Sequence, residues 1–195
     1  MRIGMGPLED RFVRLEPFED GLKAEVRAAL DCDPDAWEIM VAPAYGDHFE
    51  AWWKAALAAM EAQTRIAYAV RRRLDRAVVG TTSLYEINPA YRRCEIGSTF
   101  YRPEARGGAI NPACKRLLLG HAFDAGAVRV EIITDAVNAQ SQAAILKLGA
   151  KAEGVLRKHK ITWTGRARDT AMFAVIDDDW PSVRQSLDRR LAAFA

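Results

Sequence analysis

Residues 93–124, RCEIGSTFYRPEARGGAINPACKRLLLGHAFD, place a short basic loop between a strand and a helix. The alternation of Cys94, Ile96, Ser98 and Phe100 on one face marks a strand that breaks at Pro103. Arg106-Gly107-Gly108-Ala109-Ile110-Asn111 then opens into a helix. Asn111 is its predicted N-cap and Pro112 its first helical residue, where a missing N–H costs nothing. Free N–H groups at a helix start, the positive end of the helix dipole and an adjacent arginine make a seat for an anion such as a pyrophosphate. A strand–Gly–Gly–helix connection is also a common structural turn. GxxxxGK[ST] and GxGxxG are both absent, so any phosphate held here belongs to something other than a Walker-type nucleotide site.

The elements that must position this loop read as mixed α/β. Phe12 to Leu15 is a predicted strand. Gly21 to Leu30 and Asp47 to Ala62 are predicted amphipathic helices, the second with Trp52, Ala55, Ala56 and Ala59 at helical spacing. Ile66 to Val70 and Val78 to Ile87 alternate as strands around an Arg-rich turn, and Asn88-Pro89-Ala90 leads into the strand that ends at Tyr101. Val128 to Thr134 follows the Asn111 helix as a buried strand, then a short helix closed by Gly149. A hairpin from His159 to Ile176 turns at Thr164-Gly165. The last helix starts near Trp180, with Val183, Leu187 and Leu191 inward. Consecutive antiparallel strands with one strand–helix–strand crossover, Ile96 to Thr134, imply a mixed, mostly antiparallel central sheet flanked by helices, as one domain over residues 1–195.

Bulk properties narrow the function classes. The 195 residues suffice for one sizeable core. A net charge of +2 gives no concentrated basic face, which argues against nucleic acid. Arg71-Arg72-Arg73 reads as a solvated turn, with contact to an acidic partner as the alternative. Cys32, Cys94 and Cys114 are widely spaced, which suits a reduced compartment and no structural metal. No apolar leader and no membrane-length run is visible, so a cytoplasmic protein is expected.

Arg106 to Asn111 lies in register with the Q/R-x-x-G-x-G/A loop of the Gcn5-related N-acetyltransferase (GNAT) superfamily. TDAVNAQSQAAILKLGAKAEGVLRKH (Thr134 to His159) is similar to that superfamily's second signature. LEDRFVRLEPF (Leu8 to Phe18) and GRARDTAMFAVIDDDWPSVRQSL (Gly165 to Leu187) resemble the opening strand and the C-terminal pattern of the branch holding the ribosomal-protein alanine N-acetyltransferases. The resemblance spans nearly the whole chain, in order. It departs at Ala109, where the pattern has Gly, and at Asn111, where it has a small residue. Ala109 still presents its N–H if its φ is negative.

The resemblance implies acetyl transfer from acetyl-CoA to a primary amine, either a protein N-terminus or a small molecule, in a ternary complex without a metal. Such transfer needs a neutral amine, a polarised thioester carbonyl and a protonated leaving thiolate. By the two-residue period Glu95, Gly97, Thr99 and Tyr101 share one face. The resemblance implies that this strand parts from Val128 to Thr134 and that the pantetheine arm lies in the gap. Backbone groups around Thr99, Phe100 and Tyr101 would hold it, with Glu95 drawing a proton from the amine. Arg106, Gly107, Gly108, Ala109, Ile110 and Asn111 would hold the pyrophosphate. Asn138 would touch the arm, and Ser141 would aim its hydroxyl at the thiolate, since the usual tyrosine four positions later is Ile145.

Structural alternatives stand beside each role. Glu95 could pair with Arg92, Arg93 or a neighbouring strand. Thr99 and Tyr101 could be ordinary strand residues. Asn138 could serve only as an N-cap, with Ser141 filling the first turn. Trp37, Tyr45 and Trp53 could wall the acceptor cleft or belong to the core, and Arg168-Asp169-Thr170 could hold the acceptor or pin the hairpin. His121 reads as a partly buried structural residue. Asp135 and Glu131 are the substitutes should Glu95 not be the base. A homodimer is left open. The alternative from another class is a non-catalytic acyl-CoA-binding domain.

Overall fold

The computed structural model of the chain describes residues 1–194. Among the described residues eight strands form one sheet in the order β1-β2-β3-β4-β5-β6-β8-β7. They are β1 Leu8–Glu9, β2 Val13–Pro17, β3 Ile66–Arg72, β4 Val78–Asn88, β5 Arg93–Tyr101, β6 Arg129–Asp135, β7 Lys151–Ile161 and β8 Ala167–Ile176. The helices are α1 Lys23–Leu30, α2 Phe49–Glu61, α3 Ile110–Asp124, α4 Ala139–Leu148 and α5 Trp180–Ala192. All neighbours are antiparallel except β5 and β6, which α3 joins as a parallel crossover. This is the mixed sheet expected from the sequence. β1 is additional, and β7 begins at Lys151, well before the expected His159, because the exposed residues 151–158 carry no alternation to mark it.

The sheet buries both faces. Ile66, Tyr68 and Val70 of β3 face α3 and α5, packing with Ile96, Val130, Leu118, Leu119, Val183 and Leu187. Ala67 and Ala69, the alternate residues, face α1 and α2. Their small side chains leave room for the large residues of α2. The buried stripe of α2 is Phe49, Trp52, Trp53, Ala56 and Met60. Ala55 is exposed and Ala59 half-buried, so the expected stripe was turned by about one residue toward the alanines. Trp53 belongs to this core at 1% exposure.

The Arg71-Arg72-Arg73 run is neutralised within the molecule. Arg71 meets Glu16 at 2.7 Å and Glu25 at 2.8 Å, Arg72 meets Asp75 at 2.6 Å, and Arg73 meets Glu9 at 2.9 Å. No described helix is long and apolar enough to cross a membrane.

Two irregularities of β5 shape the middle of the sheet. The first is a bulge: Thr81 pairs with Phe100 and Ser83 with Gly97, so Ser98 and Thr99 together oppose Thr82. Ser98 has φ +45°, in the left-handed region that costs a non-glycine residue of order 1–3 kcal/mol. The extra residue reverses the alternation. Cys94 and Ile96 face the α3 side before the bulge; after it Tyr101 takes that side and Phe100 the side of α1 and α2. Neither expected four-residue face therefore holds: Glu95 and Gly97 lie opposite Tyr101, and Phe100 lies opposite Cys94 and Ile96. The second irregularity is that the β5–β6 ladder stops at Glu95 and Glu131, while β6 continues along β8 to Asp135. Beyond Glu95 the two strands part.

Candidate functional site

The loop after β5 ends in a cluster of open amides. α3 begins at Ile110 with Ala109 as its N-cap, so Asn111 is the second helical residue and not the cap expected for it. Pro112 is still tolerated, because the first four N–H groups of a helix have no internal partner. Among the described residues nothing accepts from the N–H groups of Gly107, Gly108, Ala109, Ile110 or Asn111. Gly107 turns the chain at φ +79°, a conformation that a side chain would strain. Ala109 has φ −72°, so replacing the usual glycine costs the loop nothing and its N–H remains available. Arg106 departs from expectation. Its Nε donates to the Tyr101 carbonyl at 2.8 Å and its Nη2 to Asp33 at 2.6 Å, so its guanidinium braces the loop from behind.

The gap between β5 and β6 leads away from this loop. The N–H of Arg102 donates to Val79 on β4 at 2.8 Å. Strand alternation therefore turns the N–H of Tyr101, and that of Thr99 two residues back, toward the gap. The side chains of these residues are structural. Phe100 stacks on Trp37 at 4.8 Å, and Tyr101 is buried against α3. The Thr99 hydroxyl lies 2.9 Å from that of Thr82 and accepts from Lys115 Nζ at 2.8 Å.

Glu95 stands where the strands part. Among the described residues its carboxylate has no hydrogen-bond or ion-pair partner. Arg92 donates instead to the Gly126 carbonyl, and Arg93 pairs with Glu131 at 3.1 Å. Glu131 also holds Arg129 at 2.8 Å, and Asp135, 2% exposed, holds Arg166. Three carboxylates thus surround the gap and two are neutralised. Burial pushes the Glu95 carboxyl up to about 7, against the opposing pull of Lys160. The carboxylate leans over Gly97, where a Cβ would meet Glu95 Oε1 at 2.9 Å and the Tyr85 ring at 3.3 Å. Glycine at 97 is what gives Glu95 this position.

A model of the family described as "Acetyltransferase (GNAT) domain" matches residues 13–151. The chain belongs to this GNAT family. A GCN5-related N-acetyltransferase from Brucella melitensis superposes with a TM-score of 0.85 at 29% identity, over 96% of this chain and 86% of that one. The fold is also that of Mycobacterium smegmatis RimJ in complex with CoA-disulfide, with a TM-score of 0.76 and 22% identity over 98% and 93% of the two chains. An uncharacterized N-acetyltransferase of Bacillus subtilis, YoaA, is 26% identical over 112 residues, which are 57% of this chain and 62% of that relative's length.

Just past the end of β6, at the open end of the gap, Asn138 caps α4 by accepting from the Ser141 N–H at 3.0 Å. Its side chain is spent on the cap. Ser141 is half-buried, and its hydroxyl bonds none of the described residues. Ile145, at the position of the usual tyrosine, is 6% exposed and packs in the core. Trp163, at the tip of the β7–β8 hairpin, donates its Nε1 to the Trp37 carbonyl at 2.8 Å. It also lies 5.3 Å from His48 and 6.5 Å from Tyr45, ring to ring. Asp169 pins the hairpin by accepting from the Lys158 N–H at 2.7 Å. His121 is half-buried and bonds the Gly4 carbonyl at 2.7 Å.

Sequence reasoning missed Trp163, Lys115 and Arg65. A lone tryptophan beside a Thr-Gly turn was a signal for the first, and a lysine among the inward positions of an apolar helix was one for the second. Burial lowers the Lys115 ammonium to about 8, so the group bracing the bulge through Thr99 is still mainly cationic at neutrality and loses its charge only above about 8.

Proposed function

We propose that this chain is a single-domain, cytoplasmic N-acetyltransferase that uses acetyl-CoA and a primary amine, a protein N-terminus or a small molecule, in a ternary complex. The observation that carries the reading is a strand gap with an unpaired, buried carboxylate at its apex and a loop of free amides at its mouth. The loop fits a pyrophosphate: open amides converge there, nothing lies within 4 Å of where side chains on Gly107 and Gly108 would begin, and the helix dipole is positive. RimJ, of the same fold, was solved with CoA-disulfide, which supports the cofactor class.

Acetyl-CoA supplies a thioester whose carbonyl carbon takes the amine and whose sulfur leaves. The residues of this chain supply the rest. Amides of Gly107 to Asn111 hold the pyrophosphate, and the gap-facing N–H groups of Thr99 and Tyr101 line the arm and the carbonyl. Phe100 contributes its backbone and, by stacking on Trp37, the wall beside it. Glu95 takes the proton of the ammonium, directly or through water, at a pH where its carboxyl is half-ionised. The Ser141 hydroxyl, free of other partners, relays to the leaving sulfur the second proton that the nitrogen sheds, directly or through water, and so ends as a hydroxyl again; Asn138 sets its position through the cap. A second copy would add along the outer edge of β7, where Val155, Leu156 and Ile161 are exposed.

The test is a pair of measurements on the wild-type protein. Acetyl-CoA and CoA should raise the melting temperature while ATP and NAD do not, by about 2.7 kcal/mol of stability at a hundredfold excess over Kd. Thiol release should then follow with some member of a panel of peptides, polyamines and amino acids. Equal stabilisation by all four nucleotides overturns the cofactor. Stabilisation by acetyl-CoA with no thiol release on any amine establishes the non-catalytic acyl-CoA-binding alternative.

A further inference from the structure

Arg65 is a buried guanidinium without an acid. It is 5% exposed, and burial depresses its basicity with no carboxylate to oppose the effect. Its Nε and Nη2 donate to Ser83 Oγ at 3.1 and 3.0 Å, and Nη2 reaches Ser98 Oγ at 3.3 Å. Nη1 bonds none of the described residues, yet it is not among the sealed, partnerless atoms, so it keeps contact with solvent. Cζ sits 4.4 Å from the Tyr85 ring and 5.5 Å from that of Trp52. Serine hydroxyls and aromatic faces orient a cation but bring no negative charge. A buried ion left in this state costs several kcal/mol unless something pairs with it. Arg168, also buried, lies in the field of Asp135 and Glu95; Arg65 has no such neighbour.

The position of Arg65 relates it to the chemistry. Ile66 pairs with Leu84 and Leu84 with Ile96, so the preceding row across β3, β4 and β5 is Arg65, Tyr85, Glu95. Ile66, Leu84 and Ile96 all face α3, which puts Arg65, Tyr85 and Glu95 together on the acceptor face. Two strand spacings, about 10 Å, separate the ends of the row. Arg65 also grips Ser98, the left-handed residue of the bulge beside the gap.

We propose that Arg65 reads a carboxylate on the acceptor, and that the acceptor is an acidic peptide N-terminus. In a free amino acid the α-carboxylate lies two bonds from the amine and a glutamate side-chain carboxylate only four, too close to span from Glu95 to Arg65. An acidic side chain on the second residue of a peptide spans it, with the amine at Glu95 and the anion at Nη1. Tyr85, between the two, supports the chain that links them.

The proposal rests on the acetyl-transfer reading, and the experiment separates the two. Amidated peptides that differ only by Glu or Gln at the second position are compared as acceptors. The wild-type kcat/KM should favour the Glu peptide about tenfold or more, the worth of one charge-assisted bond. The ratio should fall toward one in Arg65→Gln and stay above one in Arg65→Lys, which keeps charge without the planar fork. Free glutamate against glutamine, run in parallel, should show no such ratio; a strong preference there replaces the peptide with a small acidic amine. A wild-type ratio near one, or a ratio unchanged in Arg65→Gln, overturns the proposal. Where Arg65→Gln does not fold, the wild-type ratio and Arg65→Lys decide. Where no amine supports thiol release, acetyl transfer itself fails. Calorimetric binding of the acetylated Glu and Gln peptides to the CoA-loaded protein then decides this inference, tighter binding of the Glu product sustaining it and equal binding ending it.

Discussion

A carboxylate becomes a useful base only when it is left alone. Glu131 and Asp135 lie beside the same gap, and each is held by an arginine, while Glu95 is held by none. Burial without a counter-ion raises its native pKa from 4.5 to about 7. The sign of the effect on stability follows. The proton is bound more tightly in the folded state, so ionised Glu95 opposes folding. The contribution of Glu95 to stability should fall as pH rises from about 4.5 to about 7 and then level off. Glu95→Gln should match wild type in melting temperature near pH 4.5 and exceed it at pH 8, as scanning calorimetry would show. On a confirmed acceptor the same variant should lose roughly 10²–10⁴-fold in turnover and lose the rise of rate with pH through about 7. Wild-type turnover in Glu95→Gln would move the base to a water chain, since the other two carboxylates are engaged.

At the scale of elements, two breaks in regular structure make the site. The bulge at Ser98 turns Phe100 and Tyr101 to opposite faces, and the end of the β5–β6 ladder opens the gap. The loop before α3 then offers amides that no other part of the chain uses. Gly108→Pro removes one of them where the N–H stabilises nothing in the fold, and space around the residue is open. CoA affinity by calorimetric titration should weaken about tenfold, the loss of one hydrogen bond to a charged group, with the unliganded melting temperature nearly unchanged. An unchanged Kd would place the pyrophosphate elsewhere.

For the whole molecule, the proposed acceptor cleft depends on parts distant in sequence. Trp163 on the β7–β8 hairpin reaches the carbonyl of Trp37, in the segment between α1 and α2. Trp37 in turn stacks on Phe100 of β5. This chain of contacts reaches the edge of the amide loop only at its last link, where the Arg106 guanidinium lies 5.5 Å over the Phe100 ring. Trp163→Ala should raise acceptor KM several-fold and lower the melting temperature by a few degrees, with a smaller loss of CoA affinity. If CoA affinity falls as much as acceptor affinity, the hairpin supports the whole sheet rather than the cleft.

The sequence by itself determined the sheet class, the crossover, the glycine loop before α3 and the place of Glu95 on β5, because each is written in local terms: apolar period, glycine and proline placement, one acid on an alternating strand. The α4 cap at Asn138 and the inward face of α5 were equally legible. Tertiary structure alone decided the rest. A bulge adds one residue to a ladder whose partner strand is elsewhere in the chain, so the faces of Thr99, Phe100 and Tyr101 could not be read from spacing. Helix α3 starts one residue before Asn111 because backbone geometry, and not a capping side chain, sets its first turn. The freedom of Glu95 and the isolation of Arg65 are decided by which arginines and carboxylates meet across strands. Charge pairing over such distances leaves no trace in the order of residues.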